Sequence, residues 1–154
     1  MRICKTIVLF VALLGSACAS GSVTPTGPSG GGSVTGTWVG TASDSTGSMM
    51  GAGLTSAMMA STTWTVTQTG NAFNGTMQFP GHMGPGMTVS GTINGHSGTF
   101  TMTMAAGSMM SGACVATANG TFDMDDMMSN WSGTYTGANS CTGPFDHGVM
   151  SMHR

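Results

Sequence analysis

Residues 62–79 read Thr-Thr-Trp-Thr-Val-Thr-Gln-Thr-Gly-Asn-Ala-Phe-Asn-Gly-Thr-Met-Gln-Phe, and this stretch decides the fold. Threonines alternate with larger apolar residues before Gly70, and a similar period of two follows Asn71. A period of two is typical of strands that bury one face. The Gly-Asn pair favours a tight turn, so the stretch predicts a β-hairpin with Trp64 and Phe73 on its inner face.

Eight segments between Val34 and Arg154 share this alternation, and each is predicted to form a strand. They cover residues 34–41, 62–69, 72–79, 86–93, 98–104, 114–124, 129–136 and 147–154. Short turns are expected after the second, fourth and sixth strands, and longer loops after the first, third, fifth and seventh. Consecutive antiparallel pairing would close the strands into an all-β, eight-stranded up-and-down barrel. Threonines on the outer face exclude the apolar belt of a transmembrane barrel.

The composition excludes several classes of protein. Charged residues make up 5% of the 154 residues, against about 25% in an ordinary soluble domain. Arg2, Lys5 and Arg154 are the only cations, so the chain has no basic stripe that would bind nucleic acid. It contains no glutamate and no phosphate-binding loop. We therefore expect one folded domain that is not an enzyme.

Residues 1–17 form a predicted signal peptide. Two cationic residues precede an apolar run from Ile7 to Leu14, which is too short to span a bilayer. The run leads into Leu-Gly-Ser-Ala-Cys18, which resembles the lipobox of bacterial lipoproteins. The resemblance implies cleavage before Cys18, attachment of acyl chains such as palmitate to its thiol, and acylation of its new amine. An ordinary secretory signal, cut after Ala17 or Ala19, is the alternative.

The segment that follows predicts a tether between an anchor and a folded domain. Residues 18–33 are rich in Gly, Ser and Pro and have too few apolar groups to form a core. The barrel domain would then occupy residues 34–154. Ala19 stands where an aspartate would resemble an inner-membrane retention signal. We therefore expect a protein of the bacterial cell envelope, held at the outer membrane by its N-terminal lipid.

The four cysteines divide by position. Cys4 leaves with the signal peptide, and Cys18 would carry the lipid. Cys114 and Cys141 remain as an even pair in an oxidising compartment, which favours a disulfide. A metal-binding or reactive thiol pair is the alternative, although the Cys-x-x-Cys spacing of such sites is missing.

Methionine is unusually frequent, with 17 in the chain. Six methionines fall at inward strand positions, where core packing explains them. Most of the others lie in the expected long loops, which share one rim of a meander. That rim would carry Met49, Met50, Met58, Met59, Met83, Met109 and Met110.

Two functions are open for this rim. Flexible methionines form an adaptable apolar surface, which favours a membrane-anchored module that binds a small apolar ligand or a protein partner. Thioethers with imidazoles also select Cu(I) or Ag(I), so a periplasmic copper site is the alternative. That site would use His82, Met83, Met87 and His147. No other cofactor is expected.

Three aspartates lie close together near the end of the sixth predicted strand. Asp123, Asp125 and Asp126 are hard oxygen ligands of the kind that Ca²⁺ prefers. The Gly and Glu that complete a calcium-binding loop do not follow them. We therefore interpret the three residues as a solvated hairpin turn.

Four motifs together resemble one family. They are Gly-Thr-Trp-x-Gly at 36–40, Trp-Thr-Val-Thr-Gln-x-Gly-Asn at 64–71, Val-Ser-Gly-Thr-Ile-Asn-Gly at 89–95, and Ser-Gly-Thr-Tyr-Thr-Gly at 132–137, followed by Cys141 and Gly-Pro-Phe. Residues 34–154 are thus similar to uncharacterised bacterial lipocalin-like lipoproteins. The resemblance implies a lipocalin-like barrel and specifies no activity. Met150 and Met152 depart from the Phe-Leu strand endings of that family.

Overall fold

The computed structural model describes residues 33–45, 59–80, 85–108 and 113–154. These ranges contain eight antiparallel strands, each paired with the next, and β8 pairs with β1 to close a barrel. The strands are β1 Gly36–Ser43, β2 Ala60–Thr69, β3 Ala72–Gln78, β4 Met87–Asn94, β5 Ser97–Met104, β6 Ala116–Met124, β7 Asn130–Asn139 and β8 Gly143–His153. The predicted up-and-down barrel is confirmed. Within the same ranges, no helix has the length and apolar character needed to cross a membrane.

Alternation along each strand separates the two faces of the barrel, as the sequence predicts. Every large residue placed inward by the pattern is buried. Successive side chains of a strand point to opposite faces, so every second residue faces the core and its neighbours face solvent. The buried aromatic and aliphatic residues include Trp38, Trp64, Val66, Phe73, Val89, Phe100, Phe122, Trp131 and Tyr135. The six methionines predicted to be inward are buried with them: Met77, Met102, Met104, Met124, Met150 and Met152.

Tight turns join β2 to β3, β4 to β5 and β6 to β7. Gly70 and Gly95 supply the positive φ angles, 61° and 65°, that the first two turns require. Both ends of the barrel segment lie on the same side as these turns, since the Arg154 Nη1 atom donates a hydrogen bond to the Ser33 carbonyl at 2.9 Å. We call this end the short-turn rim and the opposite end the long-loop rim.

The predicted long loop between β7 and β8 is wrong. Only residues 140–142 separate the two strands, because β7 continues to Asn139 and β8 already begins at Gly143. Pro144 argued against a strand at this position, since proline cannot donate a ladder hydrogen bond. The pairing of β8 with β1 ends at Val149, so Pro144 lies in a part of β8 that pairs only with β7. The missing donor therefore interrupts no pairing with β1 there.

Candidate functional site

The barrel interior shows whether a ligand fits inside. One row of inward positions crosses six strands and alternates large rings with glycine: Phe73, Gly91, Phe100, Gly120, Tyr135 and Gly148. The glycines are needed for ring packing, because a Cβ at Gly91, Gly120 or Gly148 would lie 2.4 Å from a ring atom of a neighbouring strand. Large side chains therefore fill the interior by lying over positions that have none.

Aromatic contacts complete this packing. The ring centroids of Trp64 and Trp131 are 5.0 Å apart, and that of Phe100 lies 5.4 Å from Trp64. These edge contacts are the geometry that aromatic pairs prefer. The interior void beside Trp64 measures about 10 Å³, room for one water molecule at most. This part of the interior therefore has no room for an apolar ligand.

The short-turn rim is closed by the residues that precede β1. Val34 is buried, and its backbone N–H donates to the Gln68 Oε1 atom at 2.8 Å. The Trp38 indole N–H donates to the Val34 carbonyl at 2.8 Å. The Arg154 guanidinium lies 4.8 Å from the centre of the Trp38 ring, a cation–π arrangement. A ligand cannot enter the barrel from this end without displacing Val34.

Buried polar groups lie toward the long-loop rim. Asp44, Ser108 and Asn139 are all buried, and each has an interaction partner in the chain. The Tyr135 hydroxyl donates to the Ser43 carbonyl at 2.9 Å. Burial of the Tyr135 phenol raises its pKa, and the nearby Asp44 carboxylate raises it further. The phenol is therefore a hydrogen-bond donor that supports this end of the barrel and not an acid for catalysis at neutral pH.

A β-bulge in β8 turns two ionisable side chains outward. Tyr135 pairs with Gly148 and Gly137 with Phe145, so Asp146 and His147 together oppose one residue of β7. His147 takes a φ of 52°, which is uncommon for a residue other than glycine. Its Nδ1 atom lies 2.8 Å from the Asp146 carboxylate, and the two side chains are 83% and 63% exposed.

Hydrogen bonds keep the Asp146 carboxylate ionised. The bond from His147 lowers its pKa, and a further bond from the Ser45 hydroxyl at 2.8 Å lowers it again. The Ser45 backbone N–H also donates to the Asp146 carbonyl at 3.2 Å, which ties the end of β1 to the bulge. The pair is thus held in place on the outside of the barrel, although an exposed ion pair adds little stability.

The structure separates the residues of the predicted copper site that it describes. Met87 is fully buried and pairs with Met77 in the core, whereas His147 lies in solvent. His82 and Met83 lie outside the described residues. In the described ranges, no group of three or more His, Cys, Asp or Glu side chains is arranged to hold a metal ion.

Of the predicted methionine rim, the structure describes one residue. Met59 precedes β2 at the long-loop rim and is 68% exposed. Cys18, which would carry the lipid, and the other rim methionines lie outside the described residues: Met49, Met50, Met58, Met83, Met109 and Met110. Met59 is therefore the one rim methionine whose exposure is known.

The predicted disulfide between Cys114 and Cys141 is confirmed. It links the residues before β6 to the turn between β7 and β8. Val115 and Ser140 reinforce the link, because the Ser140 N–H donates to the Val115 carbonyl at 2.8 Å and the Val115 N–H to the Ser140 hydroxyl at 3.0 Å. The bridge therefore fastens the tip of the β7–β8 hairpin to the neighbouring strand.

In the acidic turn after β6, the Asp125 carboxylate accepts hydrogen bonds from residues of the same turn. Asp125 accepts hydrogen bonds from the N–H groups of Ser129 and Asn130 and from both of their side chains, at 2.7 to 3.2 Å. These bonds, with the Asn130 side chain contributing most, lower the Asp125 pKa from 3.8 to about 2. Asp123 accepts a bond from the Ser97 hydroxyl on β5 at 2.6 Å. The structure agrees with a solvated turn and not with a calcium loop.

The sequence predicts a solvated outer face but does not predict the grooves on it. Shallow grooves lie over the inward glycines, between rows of short polar side chains. Mid-strand glycine was a signal for such places, since a strand without side chains lets another group approach the backbone closely. The alignment of these glycines across strands depends on register, which the sequence does not show.

Comparisons with protein-family models, with curated proteins and with solved structures each find no match to this chain. The description of its function therefore depends on the geometry given above.

Proposed function

We propose that this protein is a non-catalytic, lipid-anchored barrel module that binds a protein partner at its long-loop rim. The observation that carries the proposal is the filled interior. A barrel with a void of about 10 Å³ has to bind through its surface. For this reason we favour a protein partner over a small apolar ligand.

The two rims differ in a way that supports this orientation. Ser33 and Arg154 meet at the short-turn rim, so a tether from an acylated Cys18 would reach the barrel there. The long-loop rim would then face away from the outer membrane.

The exposed apolar residues suit contact with a protein. Met59 and Val115, at the long-loop rim, are 68% and 46% exposed. Methionine adapts its shape to different partners, and the sequence places six further methionines in the adjoining connections. A surface of this kind is typical of adaptable protein contacts.

The anchor is tested by fractionating membranes from cells that express the full chain. The account expects the protein in the membrane fraction, and mass spectrometry should find acyl chains on an N-terminal peptide that starts at Cys18. Cys18→Ser should release the protein from the membrane. A mature N-terminus at Cys18 or Ser20 without lipid would contradict the anchor.

The partner contact is tested by site-specific photo-crosslinking in cells. A photoreactive residue replaces Met59 or, as the matched control, Met127, which is 80% exposed in the turn between β6 and β7 at the opposite rim. We expect one crosslinked envelope protein from position 59 and none from position 127. Equal products from both positions, or none from position 59, would contradict the rim contact.

Copper binding is separated from partner binding by two sets of variants. Replacing the six rim methionines other than Met59 by leucine keeps the apolar surface and removes the sulfur, whereas serine removes both. The proposal expects the crosslink to survive leucine and to be lost with serine. A Cu(I) titration against a competing chelator that shows binding only with the methionines would favour the copper site instead.

A further inference from the structure

The outer face of β3–β8 carries two parallel rows of short side chains, most of them polar. One row consists of residues that pair across neighbouring strands: Asn74, Ser90, Thr101, Asn119 and Thr136. Two residues further along the strands, a second row consists of Ala72, Thr92, Thr99, Thr121, Thr134 and Val149. The rows are separated by two residues on each strand, about 6.6–6.8 Å.

A continuous valley runs between these rows. Its floor is the backbone of the inward row in which aromatic residues alternate with glycines. The aromatic rings themselves point into the barrel interior. Two depressions of about 510 and 520 Å³ lie along it, the first over β3–β6 and the second over β6–β8. Both are lined by Asn119 and Gly120, so they join at β6 into one valley.

Apart from Asp146 and His147 at the β8 end, the banks of the valley offer hydrogen bonds without charge. The Asn119 Oδ1 atom accepts a bond from the Thr101 hydroxyl at 2.8 Å, and the Nδ2 group has no partner in the part of the chain that the structure describes. The hydroxyls of Thr121 and Thr134 are likewise exposed at the lining. Asp146 and His147 form the β8 end, where the bulge holds them outward. Besides Tyr135, whose side chain is buried inside the barrel, they are the only ionisable residues that line the two depressions.

We infer that this valley binds a linear, neutral oligosaccharide. Hydroxyl and carboxamide groups on both banks match the hydroxyls of sugar rings, and the glycine floor with threonine methyls accepts their C–H faces. A polyanion needs cations, and the banks have no Lys or Arg. A peptide strand needs an open sheet edge, and strands β3–β7 are paired on both sides. This site goes beyond the proposed rim contact and lies on a different surface.

The valley is tested with the full mature protein in detergent, using hexamers of β-1,4-linked N-acetylglucosamine and of glucose as probes. Isothermal titration should show binding of at least one hexamer. The Kd should not change with a tenfold change in salt, because the recognition is between neutral groups. Asn119→Ala should raise the Kd about tenfold, because the hydrogen bond that its Nδ2 group would donate to the sugar is lost. His147→Gly keeps the bulge geometry and should raise it several-fold.

Two further measurements keep the test decisive. Thr65→Ala, an exposed residue of β2 away from the valley, is the matched control and should leave the Kd unchanged. Backbone NMR shifts should move at residues 90–92, 119–121 and 134–136. Absence of binding to both hexamers at millimolar concentration would overturn the inference, and so would binding that Asn119→Ala leaves intact. Neither result depends on the crosslink from Met59.

Discussion

The inner and outer faces of this barrel are formed by alternate residues of the same strands, yet the inner face is tightly packed and the outer face has open grooves. The inner face combines the largest side chains with glycine and leaves a void of about 10 Å³ beside Trp64. The outer face carries short hydroxyl and amide side chains over those same glycines and leaves open grooves. The glycines connect the two faces. Because a glycine has no side chain, an aromatic ring packs against it inside the barrel, and the groove outside is deeper at the same position. The interior therefore accounts for stability, and the exterior is the surface at which we propose binding.

The largest effect is expected where a glycine seats a ring. A Cβ at Gly120 would lie 2.4 Å from the Phe100 Cζ atom and 2.4 Å from the Thr134 carbonyl oxygen. Gly120→Val should cost more than about 3 kcal/mol, since overpacking alone costs 1–3 kcal/mol and the backbone oxygen cannot rotate away. Urea unfolding followed by tryptophan fluorescence measures the loss. Thr121→Val, on the outer face of the same strand, should change stability by less than about 0.5 kcal/mol, and equal losses would contradict the comparison.

The disulfide should come next. Cys114 and Cys141 are 27 residues apart in sequence, so their bond limits the unfolded chain. Chain-entropy arithmetic gives about 3 kcal/mol of stabilisation for a loop of this length. The double variant Cys114→Ser with Cys141→Ser should unfold at lower urea concentration by that amount. Adding a reductant should destabilise the unmodified chain and leave the double variant unchanged, and a reductant effect on both would refute the attribution.

A smaller effect is expected at the closed rim. Arg154 places its guanidinium over the Trp38 ring and donates to the Ser33 carbonyl. Arg154→Ala should cost about 1 kcal/mol, the range of an exposed cation–π contact with one hydrogen bond. Arg154→Lys keeps the charge, and its melting temperature should lie between those of the parent and the alanine variant. An alanine variant as stable as the parent would show that Val34 closes this rim alone.

The smallest effect concerns pH at the acidic turn. The folded-state pKa of Asp125 is lowered from 3.8 to about 2, so its ionised form stabilises the fold. That contribution is complete above the unfolded pKa and is lost as the pH falls from about 4 to about 2. Asp125→Asn should reduce the acid sensitivity of unfolding in this window. Asp126→Asn removes a neighbouring charge as the control, and an identical pH profile for both variants would contradict the role of the Asp125 hydrogen bonds.

The sequence predicts most of the barrel because its signal is local. Alternation identifies all eight strands, and the glycine turns identify which neighbours pair. It fails near Gly137 and Pro144, where small residues and a proline hide a strand pair that the disulfide and its neighbouring hydrogen bonds hold together. Here tertiary contacts override the local preference.

The candidate site was less predictable than the fold. Met59 is exposed at the rim as expected, but the sequence could not show that Asn119, Gly120 and His147 line one surface. That arrangement requires the registers across β5–β8, and one of them contains a bulge. Register depends on the pairing of whole strands, so single positions do not reveal it.

The central claim, that the barrel binds by its surface because its interior is full, is tested most directly by tryptophan quenching. The three tryptophans of the chain, Trp38, Trp64 and Trp131, all lie in the interior. A brominated fatty acid that entered the barrel would touch them and quench their fluorescence. Titration of the mature protein should give no saturable quenching beyond that of free tryptophan treated alike. Saturable quenching, removed by an excess of the unbrominated acid, would show an apolar ligand inside the barrel and contradict the account.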